Sequence, residues 1–344
     1  MGFFDVLKTK IAPTMDMKVC MMGPRGVGKT TILTAIFNDT KESLGSTTGL
    51  HLTAENATLS ELTDRKHYLN SVFAERASVS DRPSAGLAAS STVTTFDFHF
   101  GLKGKDPRIN LELKDFPGEF VVDYPEDVMS FIKESTAVFI AIDTPHLMEH
   151  DGAFNDVKNK PAAITEFFKR VLPELGDERL VLLIPLKCER YFYENRMEEV
   201  ADRVKESYSE LIQVFKESKN IACAITPILT LGDVEYDKML CDGEGVVKLN
   251  EFGTPERVDY RFRGDNPKYR PAFCIQPLYY LLSFLAAQYT RNRKHGDFMG
   301  RLLGSLFDND KPLLNEIYTM EKNRKTNLPG YEVVCGHKFF QYSK

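Results

Sequence analysis

A glycine-rich octapeptide near the start of the sequence constrains this chain more than any other feature. It fits the phosphate-loop pattern G-x-x-x-x-G-K-[ST], and it directly follows an apolar run, residues 17–22, that predicts a β-strand. The motif consists of Gly23, Pro24, Arg25, Gly26, Val27, Gly28, Lys29 and Thr30. With a helix predicted at residues 30–37, the loop has the strand-before, helix-after context in which it binds a nucleoside triphosphate.

Each residue type in the loop has a chemical task toward a triphosphate. The glycines allow successive backbone N–H groups to point at phosphate oxygens, and the dipole of the predicted helix at 30–37 adds positive potential there. Thr31, in the first turn of that helix, is included among the predicted nucleotide contacts. Lys29 is predicted to reach the β- and γ-phosphates, and the Thr30 hydroxyl to coordinate Mg²⁺. Arg25 is the second cation of the loop besides Lys29. Its position favours a contact at the surface or with a switch segment over a contact with the γ-phosphate.

Composition argues against several other classes of protein. A chain of 344 residues with 42% apolar content can bury a sizeable core, either as one large domain or as one domain with an appendage. A net charge of −5 gives no basic field for a nucleic-acid partner, and no run of about eighteen apolar residues predicts a transmembrane segment. The six cysteines lack C-x-x-C spacing, which favours reduced thiols in a cytoplasmic protein.

Downstream of the loop, the pattern predicts an α/β protein with a mostly parallel sheet. Residues 38–91 are too many for a simple connection, and apolar residues at helical spacing between 55 and 77 predict an inserted helix. Two alternating segments, 94–100 and 109–113, predict an antiparallel hairpin. Apolar strands then alternate with helices, which is typical of a parallel sheet covered on both faces. These strands are predicted at 137–142, 180–186 and 221–229.

The hairpin ends at a second candidate for phosphate chemistry, Asp115-Phe-Pro-Gly118. An aspartate that ends a strand near a phosphate loop can hold Mg²⁺ through water, and a glycine three residues later can present its N–H to a γ-phosphate. The same four residue types also form ordinary turns. Their position downstream of the phosphate loop favours Asp115 as a metal ligand and Gly118 as a phosphate contact.

Four features in this order resemble the Ras-like GTPases: the phosphate loop, the long following segment, the hairpin ending in Asp-x-x-Gly and the apolar strands in βα alternation. More narrowly, residues 15–293 are similar to bacterial double-GTPase-type proteins of the translation-factor-related class, which have an Asp-x-Pro-Gly-Glu-like element, a helical insertion and an eroded base motif. The resemblance implies a GTP-binding switch with slow Mg²⁺-dependent GTP hydrolysis, in a bacterial signalling or anti-phage conflict system.

The resemblance also implies which residues contact the base. The family motif [NT]-K-x-D corresponds to residues 186–189. There Lys187 would lay its stem along the purine ring, and Glu189 would accept hydrogen bonds from guanine N1 and N2. The backbone N–H of Leu231, in the loop after the strand at 221–229, would meet guanine O6.

Two further roles in hydrolysis follow from the resemblance. Glu119 stands where Ras-like enzymes place the glutamine that orients the attacking water. Because its charge is unfavourable near a triphosphate, slow intrinsic turnover is expected, with a protein partner that supplies an arginine. The second threonine ligand of Mg²⁺ is predicted at Thr92, with Thr94 and Thr95 as alternatives.

The predicted organisation has three parts: an N-terminal segment at 1–14, a Ras-like G domain at 15–293 with an insertion at about 38–91, and a helical C-terminal extension at 294–344. Two other functions stay open. Leu186 stands where the base motif has Asn or Thr, so the protein could be an ATPase of the same fold. It could also be a nucleotide-binding scaffold that turns over little and acts through a partner protein.

Overall fold

One mixed sheet organises the part of the chain that the structure describes. The computed structural model describes residues 14–47, 49–74, 79–80, 93–118, 123–292 and 298–341. Within these ranges, eight strands form the main sheet. They are β1 (Met15–Met22), β2 (Leu50–Ala54), β4 (Thr94–Leu102), β5 (Ile109–Asp115), β6 (Ala137–Asp143), β7 (Arg179–Leu186), β8 (Ile221–Ile225) and β11 (Glu332–Cys335). A second, smaller sheet consists of β3 (Val79–Ser80), β9 (Val234–Met239) and β10 (Val258–Phe262).

Helices connect most of these strands. The longer helices among the described residues are α1 (Lys29–Thr47), α2 (Asn56–Ala74), α3 (Pro125–Glu134), α6 (Pro161–Val171), α8 (Met197–Ser207), α9 (Ser209–Glu217), α10 (Gln276–Asn292), α11 (Phe298–Asn309) and α12 (Lys311–Glu321). The shorter ones are α4 (Thr144–Met148), α5 (Asn155–Lys158) and α7 (Glu189–Tyr193). Residues 197–217 form two helices rather than one, because the backbone at Tyr208 leaves helical geometry with φ −103° and ψ 20°.

The strand order of the main sheet is β11-β8-β7-β6-β1-β5-β4-β2. The five central strands, from β8 to β5, are parallel, whereas β4, β2 and β11 run antiparallel to their neighbours. The register pairs Met21 with Asp115 and Met22 with Ile140, so β1, β5 and β6 end at the same edge. This is a phosphate-loop α/β fold with one antiparallel hairpin, which confirms the predicted fold class.

The two faces of β1 show why its residues are almost all apolar. Met17, Val19 and Met21 face a core built with α1, α10, α11 and α12. Cys20 and Met22 face a second core built with α3, α6, α8 and α9. From Val19 to Met22 the strand is covered on both faces, so this part is a continuous apolar run. Its first half alternates instead, because Asp16 is exposed and Lys18 is only partly buried.

Several edge strands were not predicted. The inserted helix is confirmed as α2, but β2, which precedes it and pairs with β4, is a short strand with two partly buried residues and one exposed residue. β9 and β10 lie in a charged region and enclose a small core of their own, formed by Tyr236, Met239 and Val258. Such strands are fixed by distant pairing partners, so their local sequence carries a weak signal.

The C-terminal segment packs into the main core. Helices α11 and α12 contribute fully buried Leu303, Phe307 and Ile317 to the core that covers one face of the sheet. The ring of Phe307 meets that of Tyr289 on α10 edge-on, with 5.2 Å between centroids. β11 then extends the main sheet by pairing with β8, which was not predicted. The predicted domain boundary near residue 293 stays a prediction.

The cysteines and the helices can be compared with what composition predicted. The six cysteines carry free thiols in the structure. Over the described ranges, none of the helices has both the length and the apolar content required to cross a bilayer.

Replacing Phe307 should test whether the C-terminal helices stabilise the whole fold. We expect Phe307→Ala to lower the free energy of unfolding by about 3–5 kcal/mol, because it deletes a fully buried ring from the core. Urea denaturation followed by circular dichroism would measure this loss.

The matched control is Phe252→Ala, since Phe252 is 73% exposed. It should change the free energy of unfolding by less than about 0.5 kcal/mol. Equal effects of the two variants would contradict the packing described for α11.

Candidate functional site

The phosphate loop connects β1 to α1 at the carboxyl edge of the parallel strands. Its three glycines have positive φ angles, 149° at Gly23, 73° at Gly26 and 106° at Gly28. A Cβ atom at Gly23 would lie 2.6 Å from the carbonyl oxygen of Ala141 on β6. The loop therefore needs glycine here both for its backbone conformation and for its close approach to the neighbouring strand.

Lys29 folds back over the loop from the first turn of α1. Its Nζ donates hydrogen bonds to the carbonyl oxygens of Gly23, at 3.0 Å, and Pro24, at 3.4 Å. At the exposed tip, the carbonyl of Arg25 accepts a hydrogen bond from Lys158 at 3.1 Å, and buried Val27 anchors the loop in the core. The ammonium group is thus held where the backbone of the loop curls, and its contact with phosphates stays a prediction.

Asp115 ends β5 beside this lysine. Its carboxylate is buried, and Oδ1 lies 3.6 Å from Nζ of Lys29, which is beyond hydrogen-bond distance. Burial raises the pKa of Asp115 to about 6, although the charge of Lys29 and hydrogen bonding from Thr30 lower it. Burial therefore outweighs the nearby positive charge, and the ionised carboxylate is held in an unfavourable environment.

Gly118 brings the segment after Asp115 against the phosphate loop. A Cβ atom at Gly118 would lie 2.7 Å from the carbonyl oxygen of Gly23 and 3.0 Å from Cα of Pro24. Both of these are backbone atoms, which cannot move aside as a flexible side chain would. The glycine predicted to contact a γ-phosphate is therefore in contact with the loop predicted to hold that phosphate.

These residues fit a nucleotide and Mg²⁺. Oδ1 of Asp115 is a buried acceptor without a hydrogen-bond partner among the described residues, and the carboxylate lies close enough to Thr30 for the two to interact. Mg²⁺ is commonly bound by one or two protein oxygens together with phosphates and water. Thr30 and Asp115 are the residues that would hold it. The predicted contact of Thr31 with the nucleotide stays a prediction.

Glu119 and three threonines are the other residues predicted for the phosphate end of the site. Glu119 and Thr92 lie outside the described residues, so their predicted roles stay predictions. Thr94 is the register partner of Asp115 across the β4–β5 hairpin, and Thr95 is the partner of Lys114. Of the two alternative threonines, Thr94 is therefore the one directly opposite the candidate metal ligand.

The predicted base-reading residues Glu189 and Leu231 contact each other. Glu189 is 2% exposed, and its Oε1 accepts a hydrogen bond from the backbone N–H of Leu231 at 2.9 Å. Burial raises the pKa of Glu189 to about 6, although hydrogen bonds from the backbone of this loop lower it. Recognition of guanine by these groups stays a prediction, and it requires that this internal hydrogen bond give way.

Lys187 is directed toward the end of β6. Its backbone is left-handed, with φ 59°, and its Nζ donates to Oδ2 of Asp143 at 2.8 Å. The same ammonium lies 5.4 Å from the centroid of the Tyr260 ring on β10. Packing of the Lys187 stem along a purine stays a prediction.

Asp143 is a buried acidic residue that the sequence analysis missed. Burial alone would raise its pKa, but Lys187 and His146 hold it well below its usual range. Oδ1 lies 2.6 Å from Nδ1 of His146, and the backbone N–H of Asp143 donates to Oδ1 of Asn159 at 2.8 Å. The available signal was an aspartate at the end of an otherwise apolar strand, at the edge where ligands bind in such sheets.

Comparison with known proteins yields similarities to solved structures only. No protein-family model and no curated protein matches the chain. It is similar to the S. cerevisiae Ski7 GTPase-like domain bound to GTP, with 14% identity, a TM-score of 0.39 and coverage of 64% of this chain and 44% of that one. It is also similar to the signal recognition particle receptor SRb-GTP/SRX complex from Chaetomium thermophilum, with 14% identity, a TM-score of 0.36 and coverage of 63% and 92%. The match thus spans less than half of the first structure, and the geometry of this chain's own loop and sheet carries the assignment of the site.

Replacing Asp115 should separate its role in the site from a role in stability. We expect Asp115→Asn to raise the free energy of unfolding at neutral pH by about 1–3 kcal/mol, because it removes a buried charge whose pKa is raised from 3.8 to about 6. The native state of the wild type holds this proton more tightly than the unfolded state. Its stability should therefore rise as pH falls through about 6 toward about 4, and the variant should lack that rise. Urea denaturation at a series of pH values would measure both effects.

The same variant should lose Mg²⁺-dependent triphosphate binding. Glu189 also has a raised pKa, but it is present in both proteins, so the difference between them isolates Asp115. A variant that is less stable than the wild type at neutral pH would instead show that the carboxylate serves the fold.

Proposed function

We propose that this chain is a GTP-binding switch that hydrolyses GTP slowly in a Mg²⁺-dependent reaction. The observation that supports it best is the meeting of Lys29, Thr30 and Asp115 at the ends of β1 and β5, with Gly118 against the same loop. The bacterial signalling or anti-phage setting is supported by the resemblance of the sequence, and the cytoplasmic location by its cysteine pattern.

The residues of the site would change partners when a nucleotide binds. Lys29 would exchange the carbonyl oxygens of Gly23 and Pro24 for phosphate oxygens, which are stronger acceptors because they are charged. Asp115 would be ionised at neutral pH, since its pKa is about 6. When bound, Mg²⁺ supplies positive charge to the β- and γ-phosphates. The backbone N–H of Gly118 would donate a hydrogen bond to the γ-phosphate. Because hydrolysis removes that acceptor, the segment that follows Gly118 would relax afterwards.

The residues predicted to contact the base, Lys187, Glu189 and Leu231, form the base end of the site. They favour a second candidate function, an ATPase of the same fold. Glu189 and Leu231, which would read guanine, use their polar groups on each other. A site that does not engage the guanine edge has no means of rejecting adenine. ATP binding therefore needs no rearrangement of this loop, whereas specific GTP binding does.

Titration of GTP, GDP, ATP and ADP in the presence of Mg²⁺, with phosphate release followed in the same samples, tests the proposal. We expect the wild type to prefer GTP and to release phosphate slowly. Lys29→Ala should weaken triphosphate binding at least about a hundredfold, because it removes a charge-assisted contact that the loop is built around.

The control for Lys29→Ala is Lys158→Ala, whose ammonium contacts the outer tip of the same loop. It should leave most of the affinity in place. Full affinity in Lys29→Ala would exclude the loop as the binding site, and a preference for ATP would select the second candidate. Tight binding without release would indicate a scaffold.

Glu189→Gln is expected to lower GTP affinity about tenfold and leave ATP affinity unchanged. The glutamine oxygen can still accept the Leu231 hydrogen bond, but the negative charge that would pair with guanine N1 and N2 is lost. Isothermal titration of both nucleotides would measure the two affinities. Unchanged affinity for both would show that Glu189 only holds the loop, and would support the ATPase.

A further inference from the structure

Two cysteines lie opposite each other in the main sheet. Cys335, the last residue of β11, is the register partner of Cys223 on the antiparallel strand β8. Residues directly opposite in an antiparallel pair have Cα atoms about 4.5–5.5 Å apart, which lies within the range that a disulfide bond spans. The pairing of β8 with β11 therefore allows a disulfide between these two cysteines without a rearrangement of the strands.

An irregularity in β11 turns both thiols to the same face of the sheet. The register shifts between Val333 and Cys335, so Val334 is an extra residue in this strand. Side chains alternate between the two faces of a regular strand, and an added residue re-aims the side chain that follows it. Val333 packs against the core that contains α10, α11 and α12. Val334 and Cys335 both face the other core, to which Cys223 belongs.

Gly336 holds the chain after this pair close to β8. Its φ is 71°, in the left-handed region that favours glycine. A Cβ atom there would lie 2.4 Å from the carbonyl oxygen of Ile221 and 2.7 Å from Cα of Ala222. Both neighbours are backbone atoms of β8, so the close approach of the chain beside Cys335 depends on glycine at this position.

The start of β11 is attached to the segment that follows β8. The buried hydroxyl of Tyr331 donates a hydrogen bond to the carbonyl oxygen of Pro227 at 2.8 Å. Pro227 lies between β8 and the loop that contains Leu231. β11 is thus held at both of its ends by β8 and by the residues that leave this strand.

The two cysteines differ in their access to solvent. Cys335 lines an open cavity of about 500 Å³ between the end of α9 and the segment after β11. Lys216, Lys219 and Lys338 line the same cavity, and none of the described residues around it is acidic. Cys223 is fully buried and does not line the cavity. A small reagent that enters the cavity therefore reaches Cys335 first.

The surroundings of Cys335 favour its thiolate. A hydrogen bond from the thiol of Cys223 lowers the pKa of Cys335, and the positive charge of Lys216 lowers it further, although burial raises it. Burial and the same hydrogen bond raise the pKa of Cys223. Cys335 is therefore the cysteine of the pair that ionises, and the thiolate is the form of cysteine that reacts as a nucleophile.

We propose that Cys335 and Cys223 form a site of reversible oxidation, at which hydrogen peroxide converts the two thiols to a disulfide. The sulfur of the Cys335 thiolate attacks one peroxide oxygen, so that an S–O bond forms, the O–O bond breaks and hydroxide leaves. The sulfur of Cys223 then attacks that of Cys335, so that the S–S bond forms and the S–O bond breaks. The protons of the two thiols end on the two oxygens, and the peroxide is reduced to two molecules of water.

The product links the C-terminal strand to the main sheet covalently. A dithiol reductant reverses the reaction by thiol–disulfide exchange. A reversible disulfide agrees with the reduced thiols that the cysteine spacing predicts, since disulfides in a reducing compartment are usually transient and redox-active. While the bond is in place β11 cannot open away from β8, so the amide hydrogens of this strand should exchange more slowly.

The other described cysteines lack this combination of a partner and a cavity. Cys188 and Cys274 are fully buried, and their thiols donate hydrogen bonds, at 3.3 and 3.5 Å, to consecutive carbonyl oxygens after β8. Neither of them lines the cavity. Cys241 is partly exposed, but its partner across an isolated bridge is Val247. These thiols therefore serve as internal references for the reactivity of the pair.

Peptide mass spectrometry of peroxide-treated protein tests the proposal. We expect a small molar excess of hydrogen peroxide to give peptides linked through Cys223 and Cys335, and dithiothreitol to restore both thiols. Without reductant, the oxidised protein should unfold at a higher urea concentration, because the bond restricts the unfolded chain. A link between Cys188 and Cys274 in place of this one, or no link at all, would overturn the proposal.

Two alanine variants test the order of the steps. In Cys223→Ala, the sulfenic acid of Cys335 has no thiol to condense with, so dimedone, which labels sulfenic acids, should mark Cys335 at least about tenfold more than in the wild type. In Cys335→Ala, Cys223 should stay reduced, since it is buried away from the cavity. Oxidation of Cys223 at the wild-type rate in that variant would refute the proposed roles.

Cys241→Ser is the matched control. It removes a partly exposed thiol from outside the pair, so it should change neither the Cys223–Cys335 link nor the shift in urea concentration. Loss of the link in this variant would contradict the direct reaction between the two cysteines. Because the link is mapped in the wild type, the proposal stays testable even where an alanine variant does not fold.

Discussion

The burial of the Asp115 carboxylate next to Lys29 is the constraint on which the site depends. A buried carboxylate is favourable only when opposite charge and hydrogen bonds offset its lost hydration. Here they do not, since its pKa stays raised at about 6 with the Lys29 ammonium 3.6 Å away. The two groups are brought together by the register of β1 and β5, which the apolar faces of these strands fix. Further positive charge at this edge of the sheet would therefore stabilise the carboxylate, and the Mg²⁺ of the proposed function would supply it.

At the base end of the site, the buried carboxylates are stabilised by partners within the protein. Asp143 has its pKa held low by Lys187 and His146, and Glu189 is hydrogen bonded to the loop at Leu231. The carboxylates of Asp143 and Glu189 have partners within the protein, whereas Oδ1 of Asp115 at the phosphate end is a buried acceptor without a hydrogen-bond partner among the described residues. Most of the binding free energy should therefore come from the phosphates. Under the proposed function, recognition of guanine by Leu231 would break its hydrogen bond to Glu189, so it would require a change in the loop.

Local patterns allowed the centre of the fold to be predicted, and distant pairing determined the rest. β1, the phosphate loop and the β4–β5 hairpin each have a signal within about ten residues, so both Lys29 and Asp115 could be assigned from sequence. β2, β9 and β11 depend on partners far along the chain, and their short, mixed sequences resemble loops.

The inserted helix α2 contacts elements at both ends of the site. The hydrogen bond at Thr58 joins α2 to the hairpin that carries Asp115, and the ring contacts of Phe73 join it to the sheet beside Lys187. Because α2 is packed against the strand next to the candidate metal ligand and against the sheet next to the predicted base contacts, the insertion belongs to the structure that holds the two ends of the site in place.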